Sequence, residues 1–275
     1  MRQPRHSGPR LDDNHGVTAS GLTLVIPAAG QGTRMRAVDP VLPKELLPVC
    51  GKPAIQYAIE EGLDVGADKI IVILSSAKPG LQDFLQRLDA PIEFEYQTNP
   101  AGEMDAVALA EPHAGNGSVA VIYPDNVFLP GPGVLRYLLS VHRQYQHDVV
   151  ALTAVTRANE WATAHSGKVR LQCIGDGVYR VRGLLAKTPG RFKRTAREEL
   201  RACGIAVHGA HLFDEIRRAR VHRHPGEFND QPVRALISRE RGLLGARVPG
   251  TVFDLGDPLG YAYCQAQSER AQKSR

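Results

Sequence analysis

Apolar and polar positions along the 275-residue chain alternate between two rhythms. Residues 22–26, 69–74 and 118–123 are short apolar runs bounded by turn residues, which predicts buried strands, and residues 92–96 read as a further strand. Between them the spacing becomes helical. Ala54, Ile55, Ala58, Ile59 and Leu63 lie one turn apart, with Pro53 suited to a first turn. Ser75-Ser-Ala-Lys-Pro79 leads into an amphipathic stretch through Leu88, and residues 105–111 lie on a further helix. Past Asp125 the pattern predicts a helix over 132–146 and a strand over 149–155. A hairpin over 168–183 follows, turning at Gly175-Asp176-Gly177. Then come a strand over 204–209, a helix from His211, another over 230–239, and strands over 243–248 and 252–254. A closing helix follows Asp257, which reads as its N-cap.

Strand and helix in alternation imply an α/β, doubly wound, mostly parallel Rossmann-like sheet with right-handed crossovers and helices on both faces. Ligands of such sheets sit outside the carboxyl ends of the strands. A glycine loop follows Ile26, Gln97 follows Tyr96 and Asp125 follows Tyr123, so all three are expected to converge on one crevice. Residues 1–20 are rich in Arg, Pro, Gly and Asp without periodicity and read as a disordered N-terminal arm. Residues 21–275 show no internal repeat and no linker. One domain is expected, in two halves over about 21–130 and about 131–275.

Composition narrows the class. Hydrophobic residues make up 43% and charged ones 23%, as in ordinary globular proteins. No apolar run reaches the roughly 18 residues of a membrane span, and no secretory pattern opens the chain. Cys50, Cys173, Cys203 and Cys264 are scattered without a Cys-x-x-Cys pair, which reads as reduced thiols in a cytoplasmic protein. The net charge of +5 suits a handler of polyanions. The basic clusters over 191–197 and 217–224 lack interleaved aromatics and any nucleic-acid-reading motif, so they are expected to be solvated surface and no nucleic-acid partner is expected. His113, His208, His211, His222 and His224 read as surface or helix-end histidines.

The chemistry concentrates in Ala28-Ala-Gly-Gln-Gly-Thr-Arg-Met35 and Pro43-Lys-Glu-Leu-Leu-Pro48. Gly30 and Gly32 let the backbone approach a ligand, and successive N–H groups in such a loop cradle an anion. Arg34 and Lys44 add fixed positive charge. The spacing is not that of a P-loop, and Met35 stands where a dinucleotide fingerprint needs its third glycine. The two segments resemble the signature of the sugar-1-phosphate nucleotidylyltransferases, most closely the bacterial UTP–glucose-1-phosphate uridylyltransferase branch. The similarity extends from about Leu22 to Gln267 and is weakest over 188–203.

That resemblance implies a nucleotide-diphospho-sugar transferase fold and an enzyme joining a nucleoside triphosphate, UTP foremost, to a sugar-1-phosphate. It implies nucleotide contacts from Ala28, Ala29, Gly30, Gly32 and Thr33, base contacts from Gln97 and Gly102, and phosphate neutralisation by Arg34, Lys44 and Lys187. It implies a Mg²⁺ held by Asp125 and Asp254, a sugar-phosphate contact from Gly167 and Lys187, and a homo-oligomer. The sequence departs from the family at Glu103-Met-Asp105, which replaces an apolar residue, a glycine and a histidine, and at Ala186, which replaces a glutamate that bonds sugar hydroxyls. These departures leave two expectations: a changed sugar phosphate, or a homologue that binds nucleotide without turnover.

Overall fold

Strand β1 (Thr23–Pro27) opens the ordered core, followed by the small ribbon β2 (Pro48–Val49) and β3 (Lys52–Pro53). Three parallel strands flank β1 or extend from it: β4 (Lys69–Leu74), β5 (Ile92–Tyr96) and β6 (Val119–Ile122). The helices between them are α1 (Ala54–Asp64), α2 (Pro79–Leu85) and α3 (Glu103–Ala108). Next come β7 (Asn126–Leu129), α4 (Val134–Tyr145), β8 (Asp148–Val155) and the hairpin β9 (Val169–Gly175) with β10 (Val178–Leu184). The chain closes through β11 (Glu199–His208), α5 (Leu212–Val221), α6 (Asp230–Glu240), β12 (Leu243–Arg247), β13 (Thr251–Asp254) and α7 (Pro258–Lys273). This is a computed structural model, and it describes residues 21–164, 167–185, 190–221 and 228–273. The predicted N-terminal arm, Ala186, Lys187, His222 and His224 lie outside the described residues.

The main sheet has nine strands in the order β5-β4-β1-β6-β11-β8-β12-β10-β9. Strands β5, β4, β1, β6, β8, β12 and β9 run one way, while β11 and β10 run against them. The doubly wound, mostly parallel sheet expected from the alternation is therefore present, with antiparallel β11 stitching the two parallel blocks together.

Strand side chains alternate between two cores. Leu24, Ile26, Ile70 and Val72 face α1, α2 and α4, whereas Val25, Ile71 and Ile73 face α3, α5 and α6. This double burial is why the strands read as unbroken apolar runs. The carboxylate of Glu61 on α1, buried, accepts N–H bonds from Gly133, Val134 and Leu135 and so caps the start of α4. Burial pushes its pKa up, against the lowering pull of those bonds.

Three expectations are corrected. Strand β11 begins at Glu199, not at 204, because residues 199–202 pair with β8. Strand β7 was not expected; it forms by pairing with β13, a partner more than a hundred residues downstream. His208 is buried, not on the surface. It stands 3.4 Å from Asp148, which also accepts from His211 at 2.8 Å and from the Gly209 N–H. Within the basic clusters, Arg191 pairs with Asp257, Arg194 with Glu160, and Arg218 with Glu215 and Glu240.

Candidate active site

A cleft of about 500 Å³ opens at the carboxyl ends of β1, β5 and β6, and the glycine loop, Gln97 and Asp125 all line it. The loop leaves β1 through Ala28, whose N–H continues the ladder to the Ile73 carbonyl at 2.8 Å. Ala28 is buried and is not part of the cleft wall; Ala29, Gly30, Gly32, Thr33 and Arg34 are. Gly32 sits at φ 61°, a left-handed conformation suited to glycine, and starts a 3₁₀ turn over Thr33–Ala37. Met35 anchors that turn in the interior, which leaves Arg34 facing the cleft.

Lys44 begins a second 3₁₀ turn, Lys44–Leu46. Its Nζ donates to Asp125 Oδ2 at 2.5 Å. Burial disfavours the ammonium, yet the carboxylates of Asp125 and Glu45 outweigh that and raise its pKa above the ordinary lysine value. Burial likewise works against ionised Asp125, but Lys44 and the Asn126 amide at 2.9 Å hold its carboxyl below the usual range. Asp254 behaves oppositely. Burial raises it, and the nearby Asp125 charge raises it further, against the pull of Arg201 and of the Gly256 N–H at 3.1 Å.

The β7–β13 ribbon brings these aspartates together. Asp254 is in register with Asn126, and the Leu255 N–H donates to the Asp125 carbonyl at 2.7 Å. A methyl placed on Gly256 would lie 2.8 Å from Asp125 Oδ2 and 3.2 Å from Asp254 Oδ1. Both carboxylates therefore converge on one small space. Two hard oxygen donors facing one gap fit a Mg²⁺, which binds through one or two carboxylates and fills its shell with phosphate oxygens and water. Among the described residues no group of three His, Cys, Asp or Glu could hold a metal on its own.

On the base side, Gln97 follows β5, and its Nε2 donates to the Gly102 carbonyl at 3.0 Å. Gly102 adopts φ 128°, and a Cβ there would fall 2.3 Å from the Phe228 nitrogen, so no larger residue fits. Across the cleft Gly167 lies flush against β11, its carbonyl accepting from the Ala202 N–H at 2.8 Å. The structure thus gathers Ala29, Gly30, Gly32, Thr33, Arg34, Lys44, Gln97, Gly102, Asp125, Gly167 and Asp254 around one cleft.

Sequence reasoning missed a polar wall. Glu103, Tyr123, Asp230 and Arg234 all line the cleft. Arg234 pairs with Asp230 at 2.9 Å, and Glu103 Oε1 accepts from the Asp230 N–H at 3.0 Å. Burial, reinforced by the Glu103 and Asp230 charges, pushes the Tyr123 phenol well above its ordinary value. The unusual Glu103 and the i,i+4 spacing of Asp230 and Arg234 were the available signals. Glu45 and Lys78 were also overlooked; they form a buried pair beneath the glycine loop.

A cleft with loop amides, cationic side chains and two convergent carboxylates, set at the switch region of a doubly wound sheet, defines a nucleotidyltransferase. The chain belongs to the family of MobA-like NTP transferase domains, whose profile matches residues 24–225. It is 28% identical over 267 residues to a UTP–glucose-1-phosphate uridylyltransferase of Pseudomonas aeruginosa, covering 86% of this chain and 92% of that one. A second relative, the Bacillus subtilis UTP–glucose-1-phosphate uridylyltransferase YngB, is 27% identical over 262 residues, with 86% and 85% covered. In fold it is similar to a UDP-glucose pyrophosphorylase solved with UDP-glucose, at a TM-score of 0.76 and 24% identity over 92% of this chain and 99% of that one. A UTP-bound enzyme of the same name from Acinetobacter baumannii superposes at a TM-score of 0.70 and 21% identity, over 89% and 92%. Among the described residues no helix is long and apolar enough to cross a membrane.

Proposed function

We propose that the protein condenses UTP with a sugar-1-phosphate, forming a nucleotide sugar and releasing pyrophosphate. The observation that carries this reading is the convergence of Arg34, Lys44, Asp125 and Asp254 with the glycine loop on one cleft. An oxygen of the sugar phosphate attacks the α-phosphorus of the triphosphate. As that P–O bond forms, the bond to the bridging oxygen of the β-phosphate breaks, and its electron pair leaves with pyrophosphate. Such a transfer asks the protein for alignment and charge neutralisation.

Loop N–H groups and the Arg34 guanidinium bind the triphosphate oxygens. Lys44 turns part of its bonding from Asp125 to phosphate and keeps its proton throughout. Asp125 and Asp254 would hold a Mg²⁺, which when bound supplies positive charge opposite the phosphates. The Gln97 amide accepts from a pyrimidine N3–H and donates to a ring carbonyl. Gly167 lines the sugar-phosphate side of the cleft, and the resemblance assigns Lys187 to the same phosphate. With alanine at 186, the glutamate that the resemblance implies for sugar hydroxyls is missing, so the acceptor is a modified sugar phosphate or is held by another group.

The test is pyrophosphate release over a panel of triphosphates and sugar-1-phosphates with Mg²⁺, the products identified by mass. A nucleotide sugar formed preferentially from UTP is expected. Silence across the whole panel would refute the reading. Self-association, implied by the same resemblance, is read by light scattering on the purified chain.

A further inference from the structure

Lys78 follows β4, yet its side chain is directed beneath the glycine loop. Its Nζ donates to the Ala28 carbonyl at 2.8 Å and to the two Glu45 carboxylate oxygens at 2.9 and 3.0 Å. An ammonium has three protons. Three acceptors within bonding distance leave none for a ligand, so Lys78 differs in kind from Arg34 and Lys44 although it lies close to them. Its side chain is 9% exposed and that of Glu45 1%. Taking two charges out of water is unfavourable, and apolar side chains of equal volume would hold the same space with little loss beyond the donor to the Ala28 carbonyl. Stability alone therefore does not explain the pair.

Its partners suggest what it does. Ala28 opens the glycine loop, 50 residues before Lys78, and Glu45, 33 residues before it, is the immediate neighbour of Lys44 in the same 3₁₀ turn. We propose that Lys78 and Glu45 are positioning residues that fix the glycine loop and the Lys44 turn in one register, so that the loop N–H groups and the Lys44 ammonium meet the same triphosphate. This rests on the nucleotidyl-transfer reading above and adds the brace that reading lacks. The sugar-phosphate side of the cleft, built on Gly167 and β11, takes no part in it.

Steady-state pyrophosphate release, with KM measured separately for each substrate, tests the brace beside thermal melts. Replacing the pair by apolar residues, Lys78→Met with Glu45→Leu, is expected to lower the melting temperature by a few degrees at most, since both charges go together and only the Ala28 carbonyl loses its donor. The same variant is expected to lower kcat/KM for the triphosphate about 30-fold, the loss that misplacement of binding groups by a fraction of an ångström produces. KM for the sugar phosphate stays within about twofold, since that side keeps its supports. Should the double variant fail to fold, Lys78→Arg decides: it keeps the charge but presents a planar fork to acceptors arranged around an ammonium, and about a 10-fold triphosphate-specific loss is expected. Unchanged triphosphate kinetics, or equal loss toward both substrates, would overturn the inference. A parent chain inactive on every substrate pair would overturn the underlying reading instead, and is seen before any substitution is made.

Discussion

Gly256 offers a clean perturbation of the two-aspartate site. It is buried and its φ is not among the positive ones, so alanine is tolerated by the backbone there. Gly→Ala at a compatible position stabilises a protein by roughly 0.4–1 kcal/mol through the unfolded chain. The new methyl, however, would stand 2.8 Å from Asp125 Oδ2 and 3.2 Å from Asp254 Oδ1, where ordinary contacts are 3.4–4 Å. At least the first carboxylate must retreat by about half an ångström or more, and a displacement approaching 1 Å can cost a hundredfold in rate. Gly256→Ala is therefore expected to lower kcat/KM by between about 10-fold and 100-fold, up to about 2.7 kcal/mol of transition-state stabilisation. The overpacking and the loosened Lys44–Asp125 bond outweigh the gain from the unfolded chain, so stability should fall by about 1–3 kcal/mol, read as a lower melting temperature. The Mg²⁺ concentration giving half-maximal rate should rise in step with the loss. Pyrophosphate release across a Mg²⁺ titration reads both quantities. Full activity with an unshifted Mg²⁺ requirement would show that the space between the carboxylates is not where the cation acts.

Further substitutions probe the rest. Lys44→Ala removes the cation that faces Asp125 and is expected to lower kcat about 100-fold or more, read by single-turnover kinetics. Chelation of divalent ions should abolish turnover and added Mg²⁺ restore it; activity persisting in excess chelator would contradict the roles given to Asp125 and Asp254. Gly102→Ala, which forces a Cβ against the Phe228 backbone, should lower stability by about 1–3 kcal/mol and weaken UTP binding, measured by denaturant melts and calorimetry. Asp148 gives the pH dependence. Burial works against its charge, but His208 and His211 hold its pKa below the ordinary 3.8. Between those values the unfolded chain binds more protons than the folded one, so this contribution is present above about 3.8 and is lost as the pH falls toward the lowered value. Asp148→Asn should cost about 3 kcal/mol at neutral pH, as breaking a buried pair does, with the gap to the parent narrowing in acid.

Much of the architecture is visible in local pattern. Strands β4 and β5 span the residues expected of them, and the β9–β10 hairpin turns at Gly175-Asp176-Gly177 as expected. Strand β4 is announced by its burial on both sides, and the hairpin by a turn between neighbours in sequence. Strand β7 is not so announced: its four residues carry no strong periodic signal and become a strand because β13 lies beside them. His208 looked like a surface residue because a histidine near a turn usually is one, and its burial follows from the place of β11 between β6 and β8.

The site divides in the same way. The glycine loop, Arg34 and Lys44 could be picked out from residue types and spacing, since phosphate chemistry needs small residues and cations, whereas Asp125 and Asp254 came from the family resemblance. Their mutual arrangement could not be read from either. That Lys44 reaches Asp125, that two aspartates share one gap over Gly256, and that Lys78 bonds Ala28 and Glu45 are facts about segments distant in the chain. A linear pattern records which groups are present and how each short stretch prefers to fold. Which of them touch is fixed by strand order and by side chains buried together, and those energies exist only once the sheet has closed.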